Sequence, residues 1–286
     1  MKKVLVAGAT GYLGRYLVQA LHLKGYSVRA LARNPEKLDD LRDFLDNIFE
    51  AEVTKPETLS GVCKNIDIVI SSIGITRQKD GLNYMDVDYQ ANKNLLQEAI
   101  SSGVKKFIYI SVLNGRLFRE LKMIEAKERF ADELISSGMD YSIIRPNGFF
   151  SDMTEVLNMA RQGKVYLFGN GHYRSNPIHG QDLADFVVTK MDSEEVELDV
   201  GGPDILTQDE VASMAFQALG KKGKIIHLSP WIRDISLRLV RLFTGQKTYG
   251  PIEFFMTVMT YNMIAPQVGN HYLSDYFKAN SKNQDT

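Results

Sequence analysis

Two kinds of hydrophobic pattern alternate along the first half of the chain. Short apolar runs, typical of buried strands, are followed by stretches with apolar residues at every third or fourth position, as on one helix face. The predicted strands are Lys3–Ala7, Ser27–Ala32, Asp67–Ser71, Phe107–Ser111 and Tyr141–Ile144, and the predicted helices are Leu13–Lys24, Tyr89–Ile100 and Ile124–Ile135. This order predicts an α/β fold of the Rossmann type, with a doubly wound parallel sheet covered on both faces.

The pattern becomes less regular after Pro146. We predict a short strand over Val165–Phe168 and helices over Glu155–Gln162, Gln181–Lys190 and Thr207–Leu219, the last opening with a capping box. The predicted organisation is a dinucleotide-binding domain over 1–148 and a smaller, mostly helical substrate region over 149–286. Within that region, 178–190 is expected to return to the nucleotide domain.

Composition and charge exclude several classes of protein. The 286 residues are 44% hydrophobic and 24% charged, which is ordinary globular composition. The net charge of −1 provides no basic field, so we expect no nucleic-acid partner. Cys63 is the single cysteine, which rules out an internal disulfide and favours a reducing, cytoplasmic location. The scattered histidines lack ligand spacing, so no metal site is predicted.

The first residues and the apolar stretches of the chain are not expected to insert into a membrane. The apolar run after Met1-Lys2-Lys3 stops at Gly8 and is interpreted as a buried strand rather than a signal peptide. No apolar stretch reaches 18 residues, so no transmembrane segment is expected. Apolar residues at helical spacing over 231–265 predict helices that cap a substrate pocket. The alternative is a surface for a membrane interface or a protein partner.

A glycine-rich segment lies between the first predicted strand and the first predicted helix. A tight turn there exposes backbone N–H groups, lets a pyrophosphate approach without Cβ obstruction, and aims a helix N-terminus at the anion. The βαβ context supports a dinucleotide-binding loop. Its candidate residues are Gly8, Thr10, Gly11, Tyr12, Leu13 and Gly14. The alternative is a tight turn whose glycines serve only helix packing.

The residue after the second strand bears on the choice of cofactor. A site for NAD would place Asp or Glu there, whereas this chain has Arg33. A guanidinium suits the 2′-phosphate of NADP through paired charge-assisted hydrogen bonds, and Lys37 and Arg15 are placed to assist. We therefore predict NADP(H) in preference to NAD(H). The alternative is that Arg33 is a solvated loop charge.

At these residues the chain resembles the short-chain dehydrogenase/reductase superfamily, and most closely its atypical branch of NAD(P)H-binding, NmrA-like and isoflavone-reductase-like proteins. The segments VAGATGYLGRYLV, RALARNPEKL, DIVISSIG, KKFIYISV, RPNGFF and PIHGQDLADFVV follow the order of that family. The resemblance implies further cofactor contacts. These are Glu52 and Val53 beside the adenine, Ser71, Ser72, Ile73 and Gly74 along the ribose, and Pro146, Asn147, Gly148 and Phe149 against the nicotinamide.

Catalytic residues follow from the same resemblance. Typical members use Ser, Tyr and Lys, with Tyr-x-x-x-Lys on the helix after the fifth strand, so that Lys lowers the Tyr pKa and holds the ribose. Here Ser111 and Lys127 occupy the Ser and Lys positions, with Lys122 a competitor for the latter, but Met123 stands in place of the tyrosine. The literal match Tyr89–Lys93 falls about 35 residues too early and is interpreted as an exposed helix with one packed aromatic ring.

Two functions remain open at this point. The first is an NADPH-dependent oxidoreductase that reduces a small, largely apolar substrate without the usual tyrosine. The second is a non-catalytic NADP(H)-binding redox sensor, regulator or assembly factor. Substrate-dependent oxidation of NADPH distinguishes the first from the second.

Overall fold

The computed structural model of the protein describes residues 1–75, 81–229, 231–233, 235, 237–238 and 246–282. Its strands are β1 (Lys3–Ala7), β2 (Ser27–Ala32), β3 (Asn47–Glu50), β4 (Ile68–Ser71), β5 (Lys106–Ile110), β6 (Asp140–Pro146), β7 (Lys164–Phe168), β8 (Arg174–Ser175), β9 (Glu197–Val200), β10 (Leu206–Thr207) and β11 (Lys224–Leu228). Seven of them form one sheet in the order β3-β2-β1-β4-β5-β6-β9. The pairs from β3 to β6 are parallel, which confirms the predicted Rossmann-type sheet.

Helices connect these strands. They are α1 (Tyr12–Leu23), α2 (Asn92–Ser101), α3 (Lys122–Ser136), α4 (Thr154–Arg161), α5 (Gly180–Lys190), α6 (Gln208–Ala218), α7 (Gln246–Val258) and α8 (Leu273–Ser281). Two 3₁₀ segments, Pro35–Phe44 and Pro56–Leu59, and a π-helical segment, Met85–Ala91, also lie in the connections. The capping box predicted at Thr207 forms, with Thr207 and Glu210 each bonding to the other's backbone N–H.

The chain divides into two compact units. The first comprises Met1–Arg145 and Leu183–Leu198, and the second comprises Pro146–Asp182 and Asp199–Thr286. In the first unit, β4 and β5 are buried along their whole lengths, as their continuous apolar sequences require. In the second, a separate core forms around Phe150, Leu157 and Phe277. Whether 1–148 and 149–286 are separate domains stays a prediction.

The strand order reverses between β1 and β4, because β2 and β3 extend the sheet on one side and β5 and β6 on the other. Loops at the carboxyl ends of the two strands diverge at such a reversal and leave a crevice where ligands bind in open α/β sheets. The glycine loop follows β1 directly, and Ser72–Gly74 follows β4. The fold thus places two of the predicted cofactor segments at the switch point.

Part of the predicted surface over 231–265 lies outside the described residues, namely 234, 236 and 239–245. Across the described parts of the chain, we find no helix whose length and apolar character would let it cross a membrane.

Candidate functional site

The glycine loop makes a close turn from β1 into α1. Gly8 has φ of +88°, in the left-handed region, and a Cβ on it would lie 2.7 Å from Oγ of Ser72. The Gly11 amide donates to the Gly8 carbonyl at 2.9 Å. Gly14 packs against this turn from inside α1, where a Cβ would overlap the Gly8 carbonyl oxygen. The loop sequence therefore serves close packing on the sheet.

The outer side of the same loop suits an anion. Thr10 and Gly11 are exposed, Tyr12 is half-buried, and Leu13 and Gly14 are buried. Gly11 is the N-cap of α1, and no side chain caps the backbone N–H groups of the first turn. That turn, all of whose residues the structure describes, carries no acidic side chain. A helix N-terminus of this kind attracts a phosphate group. The residues present thus fit the pyrophosphate of a dinucleotide.

Basic side chains cluster beyond the end of β2. Arg33 and Lys37 are both exposed there. Arg15 braces this segment, because its Nη1 donates to the Lys37 carbonyl at 3.0 Å and its guanidinium pairs with Asp40. Arg33 thus places a positive charge at the position where a site for NAD carries an acidic residue.

Glu52 and Val53, predicted beside the adenine, are held by an ion pair and by a hydrogen bond, respectively. Nζ of Lys55 lies 2.8 Å from Glu52 Oε2. Hydrogen bonds from Lys55 and Thr54 lower the pKa of Glu52, so its carboxylate stays charged. The Val53 carbonyl accepts from Nδ2 of Asn94 at 3.0 Å.

The segment after β4 is fixed by side chains from the next helix. Ser71 Oγ donates to Oδ1 of Asn92, whose Nδ2 donates in turn to the Asp88 carbonyl at 2.9 Å. Ser72 Oγ donates to the Ala7 carbonyl at 3.1 Å, which ties this segment to the end of β1. Ile73 is buried and Gly74 is exposed.

Lys127 is brought to this segment from α3. Its Nζ lies 2.9 Å from Oδ1 of Asp88, and the two side chains are 15% and 0% exposed. Burial alone would lower the pKa of Lys127, but the charge and hydrogen bond of Asp88 together with the neighbouring groups outweigh burial, and the pKa is raised. Burial raises the pKa of Asp88, opposed by Lys127. A Cβ on Gly74 would lie 2.7 Å from both Nζ and Oδ1, so the structure unites the predicted ribose segment with the predicted lysine.

Ser111 lies immediately after β5 rather than within it, and its hydroxyl is engaged by a buried carboxylate. Oγ donates to Oε1 of Glu128 at 3.0 Å. Arg145 binds both carboxylate oxygens of Glu128, through Nη1 and through Nη2 at 3.0 Å. Glu128 and Arg145 are 1% and 6% exposed, so this is a buried bidentate ion pair.

Met123 and Tyr89 are the two residues that bear on whether a tyrosine lies next to Lys127. Met123 is buried on α3, one turn before the lysine. The hydroxyl of Tyr89 donates to Glu133 at 3.1 Å, and Arg129 lies over its ring at 4.6 Å. Tyr89 thus contacts charged side chains of α3, and its distance from the cofactor stays a prediction.

Pro146–Phe149 belongs to the second unit. Nδ2 of the buried Asn147 donates to Oδ1 of Asn176 at 2.8 Å and to the Met263 carbonyl at 2.6 Å. Phe149 pairs with Ile178 in an isolated bridge. Asn147 therefore stabilises a turn inside its own unit, and its predicted contact with nicotinamide stays a prediction.

Sequence reasoning missed Asp88, Tyr109, Glu128 and Arg145. The phenol of Tyr109 is fully buried, and burial raises its pKa. A signal existed for Glu128, which lies four residues after the buried Ile124 and so falls on the apolar face of α3. Among the described residues, we find no His, Cys, Asp and Glu grouping suited to a metal ion.

A parallel sheet with a glycine loop at its switch point defines a Rossmann-type, dinucleotide-binding protein. The family model described as NAD(P)H-binding matches residues 8–194. The chain belongs to this NAD(P)H-binding family, which confirms the resemblance drawn from its motifs.

The known proteins similar to this chain include proteins named as reductases or oxidoreductases and proteins named as assembly factors. Divinyl chlorophyllide a 8-vinyl-reductase of Arabidopsis thaliana, a chloroplastic protein, is 30% identical over 94% of this chain and 71% of its own length. Photosystem II assembly factor Ycf39 of Synechocystis is 29% identical over 68% of this chain and 60% of its own length. The NADPH-dependent quinone oxidoreductase QOR2 of Escherichia coli, solved with NADPH, has a TM-score of 0.73 at 17% identity, covering 96% of this chain and 99% of that one. The last likeness shows the fold.

Proposed function

We propose that the protein is an NADPH-dependent reductase of a small, largely apolar substrate. The observation that carries the proposal is the ammonium of Lys127 beside Gly74, in the same unit as a glycine loop that fits a pyrophosphate. The vinyl-reductase relative supports reduction as the reaction class. Ser111, Lys127 and the predicted ribose segment, all in the first unit, are the residues proposed to line the site.

The preference for NADPH over NADH is supported by charge at the end of β2. Arg33 and Lys37 are exposed cations there, and a 2′-phosphate offers them a dianionic partner. Arg33→Ala removes a charge-assisted contact, so we expect NADPH affinity to fall about tenfold or more while NADH affinity changes little. Titration calorimetry with both cofactors measures this. Equal affinities of the unmodified protein for the two cofactors would contradict the assignment.

In the proposed reaction, bound NADPH supplies the hydride. Lys127 hydrogen bonds to the ribose and contributes positive charge, while the buried Met123 contributes no proton. We expect Lys127→Met to weaken NADPH binding more than turnover at saturating cofactor, because the position one turn before the lysine holds Met123 rather than a tyrosine that it could activate. Steady-state oxidation of NADPH with enones, quinones and carbonyl compounds measures both quantities. Tyr89→Phe is the matched control and should retain activity.

A second function is favoured by the same methionine. A site without a phenol one turn from Lys127 also suits an NADP(H)-binding accessory or sensor protein, and the Ycf39 relatives are named as assembly factors. Tight NADPH binding with no turnover across the three substrate classes would support this function instead. A protein or membrane partner that binds through 231–265 remains part of this alternative, as does a cytoplasmic location, which the single cysteine supports.

A further inference from the structure

We propose that Asp88 is a positioning residue that fixes Lys127 as a permanent cation, so that this lysine offers the cofactor charge and hydrogen bonds but never a proton. The proposal rests on the proposed binding of NADPH. Its geometric basis is the 2.9 Å contact between Lys127 Nζ and Asp88 Oδ1, made by two side chains that are 15% and 0% exposed.

The carboxylate is anchored independently of the lysine. Asp88 belongs to the π-helical segment Met85–Ala91, and wider turns of this kind often occur at functional sites. The Ile75 amide donates to the second carboxylate oxygen, Oδ2, at 3.3 Å. Asn92 ties the backbone carbonyl of Asp88 to the segment after β4. The position of Asp88 is therefore set by the sheet end, and Lys127 is drawn to it.

Gly74 provides the space for this ion pair. A Cβ at Gly74 would lie 2.7 Å from both Lys127 Nζ and Asp88 Oδ1. Gly74 itself is exposed. The arrangement leaves the ammonium close to the segment that is predicted to line the cofactor ribose.

The surrounding charges keep the ammonium protonated. The charged groups that raise the pKa of Lys127 are the carboxylates of Asp88 from the π-helical segment and Glu128 from α3. The phenol of Tyr109 from β5 also acts on Lys127, but it stays neutral between pH 7 and pH 10. Arg145 acts on Tyr109, whose own pKa is raised by burial. Burial of Lys127 opposes these charges, so removal of the Asp88 charge leaves burial with a much weaker opponent.

The test is the pH dependence of NADPH affinity, followed by cofactor fluorescence from pH 7 to pH 10. We expect the unmodified protein to change by less than about threefold over this range, because Lys127 stays charged. Asp88→Asn should lose about tenfold or more affinity as pH rises, because the uncompensated lysine deprotonates within the range. Glu133→Gln, which breaks the more exposed Lys93–Glu133 pair on the neighbouring helix face, is the matched control and should match the unmodified protein. A flat profile for Asp88→Asn would overturn the proposal.

A double-mutant cycle tests the pair without any cofactor. Asp88→Asn leaves a buried cation and Lys127→Met leaves a buried anion, so each should lower the thermal unfolding midpoint. The double variant has neither charge and should recover most of the loss. Additive losses would show that the residues do not act as a pair and would overturn the proposal. Failure of the unmodified protein to bind NADPH would instead contradict the proposed function, and the cycle would still decide whether Asp88 holds Lys127.

Discussion

The same glycine-to-alanine change should lower a different property at each of two positions of the loop. At Gly14 it should lower the stability of the protein, and at Gly11 its affinity for NADPH. At Gly14, inside α1, a Cβ would overlap the Gly8 carbonyl oxygen and lie 2.8 Å from Cα of Ala9. At Gly11 the nearest atom is that same oxygen at 3.2 Å, and the backbone angles of −81° and 171° are open to any residue. Gly14 is thus a packing glycine, whereas a methyl group at Gly11 meets a single backbone oxygen at a tight distance that a small shift relieves.

The expected magnitudes follow from these contacts. Alanine gains about 1 kcal/mol of helix propensity at Gly14, but overpacking against rigid backbone costs more, so we expect a net loss of about 2–3 kcal/mol in the free energy of unfolding. At Gly11, loss of a favourable N-cap residue costs about 1 kcal/mol or less. The methyl group of Gly11→Ala stands where the pyrophosphate approaches the backbone, so NADPH affinity should fall about tenfold or more.

Thermal unfolding and calorimetric titration with NADPH measure the two effects on the same preparations. Gly14→Ala should unfold several degrees below the unmodified protein, and Gly11→Ala should unfold close to it while binding poorly. Normal NADPH affinity in Gly11→Ala would refute the assignment of the loop as the phosphate site. Unchanged stability in Gly14→Ala would refute the packing argument.

Two further predictions concern buried groups of the first unit. Glu128→Gln removes one of the two carboxylates that pair with Arg145, the other being Glu197. Because the Glu128–Arg145 pair is almost fully buried, we expect the free energy of unfolding to fall by about 2 kcal/mol in denaturant titrations, and an unchanged value would contradict the buried pair. Burial raises the pKa of the Cys63 thiol to about 12, so a thiol reagent at pH 8 should label it only after unfolding, and this residue should make the free energy of unfolding decrease as pH rises above about 9.

The sequence predicted the central strands well because both faces of a parallel sheet are buried. Lys3–Ala7 and Ser27–Ala32 were predicted with the bounds that the structure has, since each is a mostly apolar run that is followed by a turn. The edge strand β3 was missed because it holds only Ile48 and Phe49 between polar residues. A short half-polar run carries no periodicity to separate it from a loop.

The candidate site was predictable where local geometry dictates the residue and obscure where tertiary contacts do. Glycines in a strand-to-helix turn carry their reason in the sequence, because a Cβ there meets backbone. Asp88 carries no such sign, since an acidic residue in a helical stretch normally faces water, and the π turn over Met85–Ala91 displaces it from the 3.6-residue spacing. Its burial follows only from packing against β4 and α3.

The contacts around Lys127 also bear on which group donates the proton in the proposed reaction. Met123 has no acidic proton, the Ser111 hydroxyl donates to Glu128, and Lys127 is held by Asp88. We therefore expect water to donate the proton in the proposed reaction, which suits substrates whose reduced form spreads its charge over a conjugated system. An isolated ketone gives a strongly basic alkoxide and requires a positioned acid, a contribution of about a hundredfold or more. We therefore expect quinones or enones to oxidise NADPH at least about a hundredfold faster than isolated ketones in steady-state assays, and comparable rates would show that an acid residue lies at the site.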